Sequence, residues 1–263
     1  MQIYIDTCVL PRCRLEEGRA YLRDPGENIG FEFLPMFDLA DFEANLEKNL
    51  PLFCESPLVF HEPVWGVEHT APKGSPEYEE GMYHIRLTRK YAGMLHPTDL
   101  VYHFNNCVIP QGEKEDRLRI SLENLEEMKE MFPGVRVLVE NTGIRRLGTQ
   151  LLNEEAFADL AESRNLDILI DVGHANANGW DVFRLISRLR SRIRGFHLHN
   201  NDGKDDLHNR LRDGTLDMDA LIPFITREVP DAFLVIEYTR PEYHGDPLKN
   251  DIRYLADLLA KGA

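Results

Sequence analysis

Short apolar runs rich in β-branched and aromatic residues recur down the chain: QIYI at 2–5, NIGFEF at 28–33, PLVF at 57–60 and DLVYH at 99–103. VRVLVE at 135–140, LDILID at 166–171, IRGFHLH at 193–199 and AFLVIE at 232–237 complete the series. Runs this short and this apolar fit strands buried on both faces of a parallel sheet. Between most of them the period changes to that of a helix. RISLENLEEMKEMF (119–132) places Ile120, Leu122, Leu125, Met128, Met131 and Phe132 roughly on one face. NEEAFADLAESR (153–164), DVFRLISRLRSR (181–192) and LKNDIRYLADLLAK (248–261) behave likewise. Asn153 ahead of an acidic first turn and Pro133-Gly134 after a helix are start and stop signals. Eight strands alternating with helices over 263 residues predict an α/β fold, a single (β/α)8 TIM barrel spanning 1–263 as one domain. A doubly wound open sheet is the competing arrangement, but no GxGxxG turn follows the first strand. The segment Glu62 to Tyr83 reads as a long loop, a lid or a partner contact.

Composition narrows the function classes. The chain is 43% hydrophobic and 29% charged, as in ordinary soluble globular proteins. No apolar run approaches the roughly 20 residues a membrane span needs. The start MQIYIDTCVL lacks the basic and long apolar segments of a secretory signal, so the expected location is cytoplasmic. A net charge of −15 opposes nonspecific binding to nucleic acid or anionic lipid, without excluding a local basic patch. Cys8, Cys13, Cys54 and Cys107 show neither zinc-finger spacing nor the density of a disulfide scaffold. Cys8 and Cys13 could bridge or bind metal, but buried or idle thiols are the expectation.

Chemistry in such a barrel sits at the C-terminal ends of the strands. PLVF is followed by His61, LVY by His103, VLV by Glu140, ILI by Asp171, RGF by His197 and LVI by Glu237. Six of eight strands thus end in a residue able to bind a metal, more than 45 acidic residues and ten histidines in 263 would give by chance. DVGH adds His174, close enough to turn back over the rim. FHLHNNDGKDDLH (196–208) adds Asp206 and His208, whose side chains an extended strand would point the same way. Mixed nitrogen and oxygen ligation favours zinc, manganese, iron or cobalt over magnesium or calcium. His199 shares a strand face with His197 and reads as an outer or substrate contact, while His69, His84, His96 and His244 read as surface residues. Loops of the same face carry Arg12, Arg14, Arg145, Arg146, Lys204, Arg210, Arg212 and Arg240, which either grip a phosphate or carboxylate or are plain solvated charge. Trp65, after the third strand, either stacks on a sugar face or packs against the protein.

With VENT (139–142), DVGHA (171–175), HLHNNDGKDDLH before Gly214, and GFEF (30–33), the chain resembles the xylose-isomerase-like barrel superfamily of sugar isomerases, epimerases and endonuclease IV. The resemblance covers nearly the whole chain. It implies a core metal set of Glu140, Asp171, His197 and Glu237, and the further zinc ligands His61, His103, His174, Asp206 and His208 of the endonuclease. One to three divalent ions per chain are implied, with pairing of two copies into a homodimer. Arg212-Asp213-Gly214 departs from the family's Gly-Glu-Gly, HFNN (103–106) from the endonuclease His-Pro-Gly, and the epimerases' substrate-gripping Arg after strand seven has only Lys204 nearby.

The expected activity is a metal-dependent isomerase or epimerase acting on a sugar, sugar phosphate or related polyol. Glu140 and Glu237, on roughly opposite sides of the rim, would exchange the proton as base and acid. Trp65, Arg145, His199, Lys204 and Arg210 are the candidate substrate contacts. The alternatives are an endonuclease IV-like multi-zinc phosphodiesterase acting at abasic sites in DNA, and a barrel that binds metal or ligand without catalysis.

Overall fold

In the computed structural model, which describes residues 1–11, 14–22 and 29–262, eight parallel strands close into a barrel in chain order. They are β1 (Ile3–Asp6), β2 (Ile29–Phe33), β3 (Leu58–His61), β4 (Asp99–Tyr102), β5 (Arg136–Glu140), β6 (Ile168–Asp171), β7 (Ile193–Leu198) and β8 (Phe233–Ile236). The last pairs with the first, Ile3 opposite Leu234 and Ile5 opposite Ile236. The helices are α1 (Phe42–Cys54), α2 (Pro76–Leu95), α3 (Lys114–Met131), α4 (Glu154–Ser163), α5 (Val172–Ala177), α6 (Val182–Leu189), α7 (Met218–Glu228) and α8 (Asp246–Gly262). Each expected strand is present, so the chain is a (β/α)8 barrel. Arg12, Cys13 and Asn28 lie outside the described residues. No described helix is long and apolar enough to cross a membrane. Cys54 and Cys107 are exposed thiols and Cys8 is half-buried.

The helices differ from the sequence pattern in instructive ways. Helices α1 and α7 each contain a proline, Pro51 and Pro223, which breaks up their periodicity as read along the chain. Helix α2 begins at Pro76, so the loop expected to reach Tyr83 ends at Ser75. Ser75 caps the helix by accepting from the Tyr78 N–H at 3.2 Å, and proline is favoured at the first helical position. DVGH is also more ordered than a turn, because it opens helix α5.

Side chains alternate along each strand, and this sorts the barrel interior into two tiers. The lower tier is an apolar floor of Tyr4, Val59, Val101, Leu138, Leu169, Phe233 and Val235. Two residues further along, the inward positions are Asp6, Glu32, His61, His103, Glu140, Asp171, His197 and Glu237. All eight strands, not six, therefore end in an inward polar group. The opposite strand faces, with Phe31, Phe33, Phe60, Ile170, Phe196 and Leu234, pack under the helices in the main core.

Two strands contribute no side chain to the floor. A Cβ on Gly30 would overlap the ring of Tyr4, and one on Gly195 the ring of Phe233. Those two rings meet edge to face, 5.3 Å apart, and fill the space the glycines leave. Gly195→Ala should therefore destabilise the protein by about 1–3 kcal/mol, the usual effect of overpacking a filled core. Gly93→Ala, on helix α2 with open space at its Cβ, should be stabilising by about 0.5–1 kcal/mol. Urea unfolding midpoints of the two variants check both signs.

Candidate metal centre

The polar tier converges on one point. His197 Nδ1 lies 3.3 Å from Glu140 Oε2, 3.4 Å from Glu237 Oε2 and 3.8 Å from Asp171 Oδ2. Glu140 and Glu237 leave β5 and β8, three strands apart where four is the most an eight-stranded ring allows, and from these roughly opposite sides both reach His197 Nδ1. His103 Nε2 is 3.0 Å and His61 Nε2 3.7 Å from Glu140 Oε2.

Local folding brings in the remaining groups. Asp171 caps helix α5, its Oδ1 accepting from the His174 N–H at 2.5 Å, and this turns His174 over the rim. His174 then places Nδ1 3.0 Å from Glu140 Oε1 and Nε2 3.2 Å from Asp206 Oδ2. Gly173 is required here because a Cβ would overlap the His199 ring. After β7 the chain makes a closed excursion, pinned by the Asn200–Asn209 bridge and by Asn200 Nδ2 donating to the carbonyls of Leu211 and Leu216. Asp206 and His208 meet at 3.2 Å within it. They do so through a left-handed turn at His208 (φ 45°), not through the extended backbone that the sequence suggested.

Most of the histidines are oriented by a bond to their outer nitrogen. Nδ1 of His61 pairs with the Glu62 carbonyl at 2.7 Å, Nδ1 of His103 with Asn106 Oδ1 at 2.8 Å, and Nδ1 of His208 with the Glu237 carbonyl at 3.2 Å. Each of these three therefore presents Nε2 inward. His197 is reversed, with Nε2 at Glu32 and Nδ1 at the centre. Such outer bonds fix the tautomer and ring angle that ligation needs.

Electrostatics in the buried tier are strongly coupled. Burial alone would raise the Glu140 carboxyl, yet His103 and His197 beside it hold it well below the usual carboxylate range. Asp171 and Asp206 are likewise lowered against burial, chiefly by His174. Burial would lower the imidazoles, but neighbouring carboxylates push His174 and His197 well up, His61 and His103 up, and His208 up to about 9. Buried atoms still remain without a hydrogen-bond partner here, among them His197 Nδ1, Asp206 Oδ1 and Glu237 Oε2. Buried carboxylates and lone nitrogens facing a common point suit a cation. His61, Glu140 and His197 form one group whose donor atoms all lie within 4.8 Å. Asp171, His197 and Glu237 form a second, and Glu140, Asp171 and His174 a third. His174, Asp206 and His208 form a fourth, and His199, His208 and Glu237 a fifth.

All nine residues expected at a metal are thus gathered at the mouth. His199 is nearer than expected: fully buried, its Nε2 is 3.1 Å from Asp171 Oδ2 and its ring stacks on His208 at 4.0 Å. Trp65, Arg145 and Lys204 are exposed on mouth loops. Arg210 is already committed, forking onto buried Asp251 of α8 at 2.8 and 2.9 Å, which ties the Asp206–His208 loop down. Arg146 pairs with Asp205, Arg14 with Glu17, and Arg212 lies over the ring of Tyr254.

His69 and His84 are not surface residues; both are buried, while His96 is exposed and His244 half-buried. His69 Nε2 meets Glu62 Oε2 at 2.7 Å, and Glu62 Oε1 accepts from the His103 N–H. Together with Asn106 donating to the Val67 carbonyl, Arg117 to Thr70 and Asn124 to His69, this pair pins the loop after β3 from several sides. Asp6, Glu32, Glu62 and Asn106 were missed in the sequence. Asp6 and Glu32 carried the same signal as the other six, an ionisable side chain two residues beyond an inward position.

Known proteins share this architecture. A crystal structure of a D-tagatose 3-epimerase-like protein superimposes with a TM-score of 0.76 at 19% identity, covering 99% of both chains. The IolI protein with a bound zinc atom gives 0.75 at 16%, covering all of this chain and 99% of that one. Endonuclease IV from Thermus thermophilus gives 0.67 at 18%, covering 99% of this chain and 100% of that one. No protein of curated function matches the sequence. The sequence profile of the xylose isomerase-like TIM barrels matches residues 27–260, and the chain belongs to that family.

Proposed function

We propose that the protein is a divalent-metal-dependent isomerase or epimerase of a sugar, sugar phosphate or related polyol. The observation that carries this reading is the convergence of Glu140, Asp171 and Glu237 on the inward nitrogen of His197, a donor set of one nitrogen and three carboxylates at the C-terminal end of the barrel. These four residues would hold a zinc or manganese ion, which would supply Lewis-acid polarisation of a substrate carbonyl and acidify the adjacent C–H. Glu237 is the more open of the two glutamates, at 14% side-chain exposure against 1% for Glu140, so it is the one placed to take the carbon-bound proton. Glu140, ionised and hydrogen-bonded to His103 and His174, would pass a proton from those imidazoles to carbon on the other side of the substrate. The epimerase-like protein among the similar structures, with the bound zinc in another, agrees with this chemistry.

The cations of the mouth support a small substrate over a polymer. Among the described residues, Arg14, Arg146 and Arg210 have carboxylate partners, Arg212 and Arg240 lie over tyrosine rings, and Arg145 and Lys204 are exposed with neither. Two uncommitted cations suit one phosphate or carboxylate group, whereas a DNA backbone calls for a longer basic track.

One feature favours a second reading. His61, His103, His174, Asp206 and His208 supply more donors than one ion uses, as an endonuclease IV-like multi-zinc phosphodiesterase would require.

The first test is solvent deuterium uptake at carbon across a panel of sugars and sugar phosphates, with zinc or manganese. Uptake that is lost on chelation and restored by metal is expected, and Glu237→Gln at saturating metal should lower it by about 10²–10⁴-fold. Metal-dependent nicking of duplex DNA at an abasic site, with no uptake on any sugar, would move the assignment to the second reading.

Proton competition gives a further prediction. Zinc ligation needs neutral imidazole, yet His61, His103, His174, His197 and His208 all hold protons more tightly than free histidine in the metal-free protein. Zinc binding at pH 7 should therefore release protons, seen by calorimetry in buffers of different ionisation enthalpy. Affinity should fall roughly tenfold per pH unit for each proton expelled. The same raised values stabilise the metal-free fold below the unfolded histidine pKa of 6.5, and the His208 part fades as pH rises through about 9. Zinc binding with no proton release would count against histidine ligation.

A further inference from the structure

His197 is wholly buried, and its orientation is the reverse of that of His61, His103 and His208. His61, His103 and His208 are tethered through Nδ1 to nearby carbonyl or amide oxygens and offer Nε2. His197 is tethered through Nε2, which lies 3.1 Å from Glu32 Oε2 and 2.9 Å from Oε1. The bond does not follow from strand pairing. Glu32 is on β2 and His197 on β7, with β8 and β1 between them, so the contact crosses the barrel interior. Both side chains are wholly buried. A carboxylate so placed is costly unless a strong donor meets it, and the imidazole N–H is that donor.

We propose that Glu32 is a positioning residue for the metal centre: its carboxylate accepts the Nε2–H of His197 and thereby commits Nδ1 to the point shared by Glu140, Asp171 and Glu237. Rotation of the ring by half a turn would direct Nε2 at that point and leave Glu32 without its donor. The inference rests on the metal-centre reading, and it deepens it by naming the group that selects which nitrogen binds. A carboxylate behind a ligating imidazole also makes the ring a better electron donor, and loss of such a partner typically weakens metal binding about 10–100-fold.

The experiment uses the full chain with ¹⁵N-labelled histidine. The imidazole N–H protons are followed by NMR in the metal-free protein, and zinc binding is measured by calorimetry. In the unaltered protein, His197 should show an Nε2–H proton protected from solvent exchange. Glu32→Ala should abolish that protection and weaken zinc binding about 10–100-fold. Glu32→Gln keeps an oxygen acceptor of the same reach, so the protected proton should persist at higher field while zinc binding weakens several-fold. Persistence of the protected proton in Glu32→Ala, or zinc affinity within about twofold of the unaltered protein, would overturn the proposal. If the alanine variant does not fold, Glu32→Gln decides alone: an unmoved resonance with unchanged zinc affinity overturns it. An unaltered protein that shows the protected proton but binds no zinc would remove the metal-centre reading while leaving the Glu32–His197 bond in place.

Discussion

Burying negative charge is the constraint on which this structure turns. Glu32, Glu62, Glu140 and Asp171 are each at most 1% exposed, and Asp206 and Glu237 stand just above them at the mouth. Carboxylates in such a setting require opposite charge or several strong donors. The structure answers with imidazoles: His69 for Glu62, His103 and His174 for Glu140, His197 for Glu32, and His199 for Asp171. That answer is incomplete, because His197 Nδ1, Asp206 Oδ1 and Glu237 Oε2 stay unmatched. A cation at the centre would neutralise the carboxylates there and let His103, His174 and His197 shed the protons that those carboxylates induce them to keep.

Alternation along the strands makes this arrangement possible with little local specialisation. Every strand carries a floor position and, two residues later, a chemical one. Tyr4 precedes Asp6, Val59 precedes His61, and Leu138 precedes Glu140. The apolar floor closes the barrel below the site and keeps water from reaching it from that side. Where two large rings, Tyr4 and Phe233, occupy the floor together, Gly30 and Gly195 clear the room. The loops only add to a tier that the strands already define. Asp171 caps α5 to bring in His174, and Arg210 on Asp251 anchors the excursion that brings in Asp206 and His208.

Much of this was legible in the sequence because period-two burial leaves a strong trace. The eight apolar runs, and the polar residue that follows most of them, identified the barrel and six members of its inner tier. Asp6 was lost because it directly follows QIYI near the chain's start, and Glu32 because it lies inside GFEF, where Phe33 made the strand look unfinished. What could not be read were contacts set by closure of the barrel. Glu32 and His197 are 165 residues apart and meet only when β8 returns to β1. Glu62 and His69 are close in sequence, yet His69 reads as an ordinary loop histidine until Asn124 and Tyr102 are packed around it. Helices α1 and α7 were hidden by internal prolines, and α2 by an opening turn that looks like loop.

The balance of paired and unpaired charge also bears on what enters the mouth. Basic residues counted along the sequence leave open whether the mouth grips an anion or carries plain solvated charge, because charge in a fold is measured by what is left unpaired. Arg210 serves Asp251, Arg146 serves Asp205, and the loop that carries Trp65 is pinned at Glu62, Val67, His69 and Thr70. The edge of the site is therefore tied at several points and has few cations to spare, in a chain whose net charge is −15. A long polyanion would meet repulsion beyond the first contacts, whereas a small oxygen-rich molecule would need only the centre and the one or two free cations beside it. This balance of charge, more than the identity of any single donor, is what supports the proposal of a small substrate over a long polyanion.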